Sequence, residues 1–161
     1  MINTISGDLV TVRYGIVSHQ VNILGKAGSG VVTDIRNCFS GWYQEYKKLC
    51  DQFELNREQL LGTTQYFRVD DGLHVANLFA QFSIKPFNRN TDLPAFRQCL
   101  VNLEQQAREA ALPVYIPDQI ACVRGGMDWD AEVFPIIEEV FGESPVVLYL
   151  VDYVKGQQLW E

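Results

Sequence analysis

Two stretches of this chain and one isolated carboxylate have the residue types and spacing to do chemistry. The first stretch runs from His19-Gln20-Val21-Asn22 through Gly25 to Gly28-Ser29-Gly30-Val31. The second runs from Ile120-Ala121-Cys122-Val123 through Arg124-Gly125-Gly126 to Met127-Asp128-Trp129. The isolated carboxylate is Asp8, in Ser6-Gly7-Asp8-Leu9. The first stretch follows an apolar β-type run and precedes a helix-like segment, an order that makes an anion cradle. Glycines let backbone approach a phosphate, first-turn N–H groups point at it, and the helix dipole favours negative charge. The spacing is neither G-x-x-x-x-G-K-[ST] nor G-x-G-x-x-G, so neither nucleotide fingerprint applies, and a plain strand-to-helix turn also fits. Simple readings stand beside the chemical ones for the other groups. Asp8 suits a turn, a histidine at a strand end is often a structural hydrogen-bonder, and Asp128 before Trp129 is placed to cap a helix. Cys122 has no base paired with it in the sequence and is assigned to packing.

The elements that must position these groups follow from periodicity. A buried strand is expected over 10–18, a helix over 32–40, and an amphipathic helix over Trp42–Gln52 with Trp42, Tyr43, Tyr46 and Leu49 on one side. Residues 56–62 read as a polar linker. Asp70-Asp71-Gly72 between two alternating runs, 63–68 and 73–82, reads as a hairpin. After a loop at 83–90, Thr91 is expected to cap a helix through residue 111, with Pro94 in its first turn. A strand over 112–116, a loop over 118–128, a helix over 129–141 bent or delayed by Pro135, and a strand over 146–151 complete the pattern. Residues 152–161 read as a tail, one that could cover a sheet edge. Strands alternating with helices around one hairpin predict an α/β fold, a mixed central sheet in a three-layer α/β/α arrangement. Both glycine loops follow strands, so both fall at the strands' carboxyl edge, where such sheets bind ligands.

With 161 residues the chain suits a single domain. A formal net charge of −7 argues against a nucleic-acid surface. No apolar run approaches membrane-span length and no leader pattern opens the chain, so a cytoplasmic location is expected. Cys38, Cys50, Cys99 and Cys122 lack metal-ligand spacing, and no metal or cofactor is expected.

Gly7-Asp8-Leu9, His19-Gln20-Val21-Asn22 before Gly28-Ser29-Gly30-Val31, Ala76-Asn77-Leu78-Phe79-Ala80-Gln81, and Gly125-Gly126-Met127-Asp128-Trp129 occur in an order that resembles the macro domain family. The resemblance spans essentially the whole chain and is closest to the branch containing ADP-ribose-1''-phosphate phosphatases. It implies an ADP-ribose pocket and hydrolysis at the distal ribose. Asp8 would bind the adenine amino group and Asn22 the distal ribose. Gly28, Ser29, Gly30 and Val31 would hold ribose and diphosphate from one side, and Cys122, Val123, Arg124, Gly125 and Gly126 from the other. The catalytic pair implied is Asp128, orienting or deprotonating a water, and His19, binding or protonating the leaving phosphate oxygen. Relatives usually carry I-G-C-G in the second loop, whereas this chain has Ala121 and Val123 at the two glycine positions. A related lysine-dependent branch removes ADP-ribose from macromolecules; Lys85 sits near its lysine, but its aspartate register falls on Gly125, so that mechanism ranks lower. Two alternatives to an enzyme follow: a non-catalytic module that binds ADP-ribose, or an interaction protein that has lost the ligand.

Overall fold

Strand β2 (Gly15–Asn22) is buried at every residue except Gln20, as expected of a strand covered on both faces. In the computed structural model, which describes residues 1–159, it lies inside a six-stranded sheet of order β1-β6-β5-β2-β4-β3. The other strands are β1 (Ile2–Gly7), β3 (Thr64–Asp70), β4 (Leu73–Gln81), β5 (Val114–Pro117) and β6 (Leu148–Tyr153). Every neighbouring pair is parallel except β3 with β4. The carboxyl ends of β1, β2, β4, β5 and β6 therefore share one edge, and the segments leaving them gather there.

Alternation along β2 and β4 sends side chains into two cores. Ile16, Ala76 and Leu78 pack with Phe96, Leu100 and Leu103 of α3 (Leu93–Ala110) and with Ile137 and Phe141 of α4 (Phe134–Phe141). Val17, Val21, Val75 and Phe79 pack on the opposite face with Ile35 of α1 (Val31–Cys38) and with Trp42 and Tyr46 of α2 (Trp42–Gln52). Each such fully buried side chain contributes about 1.5–3 kcal/mol of apolar transfer. The three-layer α/β/α expectation is met.

Several boundaries differ from the sequence reading. Strand β2 starts at Gly15 because Asp8 N-caps a 3₁₀ turn over Leu9–Thr11, accepting from Val10 N at 3.2 Å. Residues 56–62 are not a polar linker: Arg57–Leu60 is a 3₁₀ turn, Leu60 is buried, and Arg57 Nη1 donates to Ile23 O at 3.1 Å. Asp92, not Thr91, caps α3, accepting from Ala95 N at 2.9 Å. The segment 129–141 divides into a π turn (Trp129–Val133) and α4. Pro135, which has no N–H to donate, sits at their junction, so the disruption expected there takes this form. Residues 154–159 run back to the end of edge strand β1, where Val154 N donates to Gly7 O at 2.8 Å; Trp160 and Glu161, the end of the expected tail, lie outside the described residues. Among the described residues no helix is long and apolar enough to cross a membrane.

Candidate functional site

Asn22 ends β2 just after a register shift in its pairing with β4. Its side chain builds the loop that follows. Asn22 Oδ1 accepts from Leu24 N (3.0 Å), Lys26 N (3.2 Å) and Tyr46 Oη (2.9 Å), and Nδ2 donates to Lys26 O (2.9 Å). Helix α2 braces the same loop: Tyr46 Oη also lies 2.7 Å from Asn22 O, and Tyr43 Oη donates to Gly25 O at 3.4 Å. Burial raises the Tyr46 phenol well above its ordinary range, so it stays a donor. Asn22, expected at the distal ribose, thus has its oxygen committed to shaping the cradle.

The cradle itself is open. The amides of Gly28, Ser29, Gly30 and Val31 have no hydrogen-bond partner among the described residues. A β-carbon at Gly28 would meet nothing within 4 Å, and Gly30, at φ 73°, turns the chain into α1 as its N-cap. Such a turn with free first-turn donors is the geometry that receives an anion.

The second loop connects β5 to the π turn and lies across from the first. A β-carbon at Gly30 would sit 4.0 Å from Arg124 Cγ, so the guanidinium stem overlies the cradle. Val123 and Arg124 are exposed, and their amides are unpaired among the described residues. Ala121 adopts φ 68°, so one of the two positions where relatives carry glycine does need the left-handed region, and here a β-carbon is forced into it. Val123 keeps negative φ, so its side chain brings no such strain. Gly125 and Gly126 pack against the loop that follows β4. A side chain on Gly125 would strike Thr91 Oγ1 at 2.2 Å, and one on Gly126 would strike Asn88 O at 2.1 Å. Their role is to lock this loop onto the one after β4, where Asn90 N donates to Gly125 O (2.8 Å) and Asn90 Nδ2 to Lys85 O (2.8 Å) and Arg124 O (3.1 Å). The Cys122 thiol is pushed up to about 11, chiefly by burial and then by the nearby Asp128 charge, which makes it a poor nucleophile.

Asp128 is exposed at the end of this loop. Its Oδ1 accepts from Ala131 N at 2.8 Å, and its own N–H donates to Glu132 Oε1 at 3.1 Å, a reciprocal cap in which the returning carboxylate stands one residue later than in a capping box. Arg89 pairs with Glu132 and, with the Asp128 amide, lowers the Glu132 carboxyl to about 2. Capping and a solvent-facing second oxygen coexist on Asp128.

His19 is placed differently. It is fully buried on the α2 side of the sheet, Nε2 lies 2.8 Å from Asn77 Oδ1, and its ring centroid is 5.4 Å from that of Trp42. Burial lowers its pKa from 6.5 to about 4, so it is neutral near pH 7. From this position the ring is held between Asn77 and Trp42 inside the sheet layer, while Asp128 is exposed at the surface. Asp8 is also buried, its carboxylate bonded to Val10 N and to Gly156 N.

Some of the site was not singled out in the sequence. Lys26 and Lys155 join Lys85 and Arg124 as cations without an ion-pair partner among the described residues. The four occupy the segments leaving β2, β6, β4 and β5. The signal for Asn77 was present, since a carboxamide inside the apolar run Ala76-Asn77-Leu78-Phe79 must find buried partners. No cluster of His, Cys, Asp or Glu among the described residues is arranged to hold a metal ion.

No family model and no curated protein matches the chain. Solved structures do. A protein of unknown function from Bacteroides thetaiotaomicron has 24% identity and a TM-score of 0.82, over 96% of this chain and 98% of that one. The macrodomain of Mycobacterium tuberculosis DarG has 23% identity and a TM-score of 0.77, over 95% and 97% of the two chains. Thermosipho africanus DarTG in complex with ADP-ribose has 13% identity and a TM-score of 0.75, over 99% of this chain and 43% of that one. Six strands in this order, two helices on each face, and these likenesses together show that the chain has the macrodomain fold.

Proposed function

We propose that this protein binds ADP-ribose or a derivative at the carboxyl edge of its sheet, with the diphosphate between the 23–30 loop and Arg124. One observation carries the reading. In a chain of net charge −7, the Gly30 β-carbon position lies 4.0 Å from Arg124 Cγ and Lys26 stands in the same loop as the open amides of Gly28, Ser29, Gly30 and Val31, and neither cation has an ion-pair partner among the described residues. Free N–H groups at a helix start and charge-assisted donors around them are what a diphosphate requires. The Thermosipho africanus neighbour, solved with ADP-ribose, supports the choice among diphosphate ligands. Thermal melts test it: a ligand that prefers the folded state raises the melting temperature with concentration. ADP-ribose is expected to do so and adenosine is not, because adenosine lacks the diphosphate.

Asp128 favours a second reading on the same site, hydrolysis at the distal ribose, most simply removal of a 1''-phosphate. Its second carboxylate oxygen is free to take a proton from an attacking water. In this reading His19 is a positioning residue, neutral and buried inside the sheet layer. Phosphate release from ADP-ribose-1''-phosphate is expected from the parent and not from Asp128→Asn; binding with no release leaves the protein a non-catalytic ADP-ribose module.

A further inference from the structure

Asp8, the carboxylate expected to meet the ligand's base, is held by the far end of the chain. Gly156 N donates to Asp8 Oδ2 at 2.9 Å, and Asp8 N donates to Gln157 O at 2.9 Å. Around these two bonds, Gln157 Nε2 donates to Ser6 O (2.7 Å) and Leu159 N to Thr11 Oγ1 (2.9 Å). Leu159 covers Gly7 so closely that a β-carbon there would lie 2.3 Å from Leu159 Cδ2. Capping the Leu9–Thr11 turn uses only Oδ1, through Val10 N at 3.2 Å. The second oxygen is taken by a residue 148 positions away, and Asp8 is left 6% exposed.

The geometry points to residues 154–159 as a latch that sets ligand selectivity: a base whose amino group seeks Asp8 must displace Gly156 from Oδ2, whereas a ligand held by sugar and phosphate alone need not. This rests on the ADP-ribose reading above. Oδ2 can accept a second bond, but residues 156–159 cover the carboxylate and leave Asp8 6% exposed, so a base reaches it only when this segment moves aside, and the latched and base-bound states compete. The apparent affinity for a base-reading ligand is then reduced by the fraction of molecules that are unlatched. Lys155 lies within the latch, but the amides of Gly28 to Val31, Lys26 and Arg124 make none of these contacts, so recognition of the phosphate and ribose rests on groups outside it.

Gly156 offers a clean way in. Its φ is 77°, and a β-carbon there would meet nothing within 4 Å. Gly156→Pro cannot adopt that φ and has no N–H, so it removes the bond to Asp8 and displaces the segment that carries it. Dissociation constants for ADP-ribose and for ribose 5-phosphate, measured on the full chain and on Gly156→Pro, test the proposal. ADP-ribose is expected to tighten about tenfold in the variant, while ribose 5-phosphate changes by less than about twofold. An unchanged ratio of the two constants overturns the latch, including the case where both ligands weaken together. Should Gly156→Pro not fold, the double variant Gln157→Ala, Leu159→Ala, which removes the bond to Ser6 O and the cover over Gly7 and so frees the segment from β1, is read by the same ratio. If ADP-ribose binds neither protein, the ADP-ribose reading fails and the latch falls with it. If it binds both equally, the latch alone fails.

Discussion

His19 and Asn77 meet inside the sheet, Nε2 to Oδ1 at 2.8 Å, and Trp42 Nε1 donates to the same oxygen at 2.8 Å. A carboxamide oxygen only accepts, so His19 carries its proton on Nε2, and its bare Nδ1 is buried without a partner among the described residues. Charging this ring inside the sheet is unfavourable, and burial outweighs the raising effect of the Asn77 bond to bring the pKa to about 4. The unfolded chain, with its histidine near 6.5, therefore takes up a proton that the folded one refuses between those values. The stabilisation is complete above about pH 6.5 and is lost as pH falls toward 4, in all roughly 3 kcal/mol. Urea unfolding at pH 7, 5.5 and 4 should show a steeper acid loss in the parent than in His19→Gln. Equal slopes would contradict the assignment.

Asn77 closes a network, because its Nδ2 also donates to Gln65 Oε1 at 2.9 Å. Asn77→Leu removes the acceptor shared by His19 and Trp42 and leaves two buried donors unmatched. At about 1–3 kcal/mol for each, the loss should be on the order of 3 kcal/mol. The midpoint of denaturant unfolding reads it directly, and a change below about 1 kcal/mol would show that the network is not structural.

Ala121 occupies φ 68° in the second loop. Relief of left-handed strain, about 1–2 kcal/mol, exceeds the added backbone freedom of glycine, about 0.5–1 kcal/mol. Ala121→Gly is therefore expected to stabilise the protein by about 0.5–1 kcal/mol, measured by chemical denaturation. Destabilisation would mean that the alanine methyl contributes more in the core than the strain costs.

Much of the frame was legible. The helix at Trp42–Gln52 and the hairpin around Asp70-Asp71-Gly72 followed from local periodicity and turn chemistry, which need no distant partner. The gathering of both glycine loops at one edge followed from parallel strand order. What was not legible depends on contacts far apart in sequence. Asp8 is committed to Gly156, the Thr91 hydroxyl accepts from Gln20 Nε2 and the cap falls to Asp92, and Gly125 and Gly126 serve the loop at 82–91. A pattern such as H-x-x-N likewise does not say which face of the strand the histidine takes, and here the alternation along β2 turns His19 inward.

Asp128 separates structure from chemistry by substitution. Asparagine caps as well as aspartate, so Asp128→Asn should unfold with the parent, while Asp128→Ala loses the bond to Ala131 N and about 1 kcal/mol. Circular dichroism melts give this comparison. If Asp128→Asn is as unstable as Asp128→Ala, charge rather than hydrogen bonding supports the π turn.

The unpaired cations and open amides at the sheet edge are proposed to form a diphosphate site. Calorimetric titration of the parent and of a Lys26→Glu, Arg124→Glu variant with ADP-ribose tests it most directly. Neither side chain has an ion-pair partner among the described residues, so the variant should fold normally. One ligand per chain is expected for the parent, with affinity at least about tenfold weaker in the variant and falling with added salt. No heat and no saturation at ~1 mM ADP-ribose, or equal affinity in the two proteins, would contradict the account.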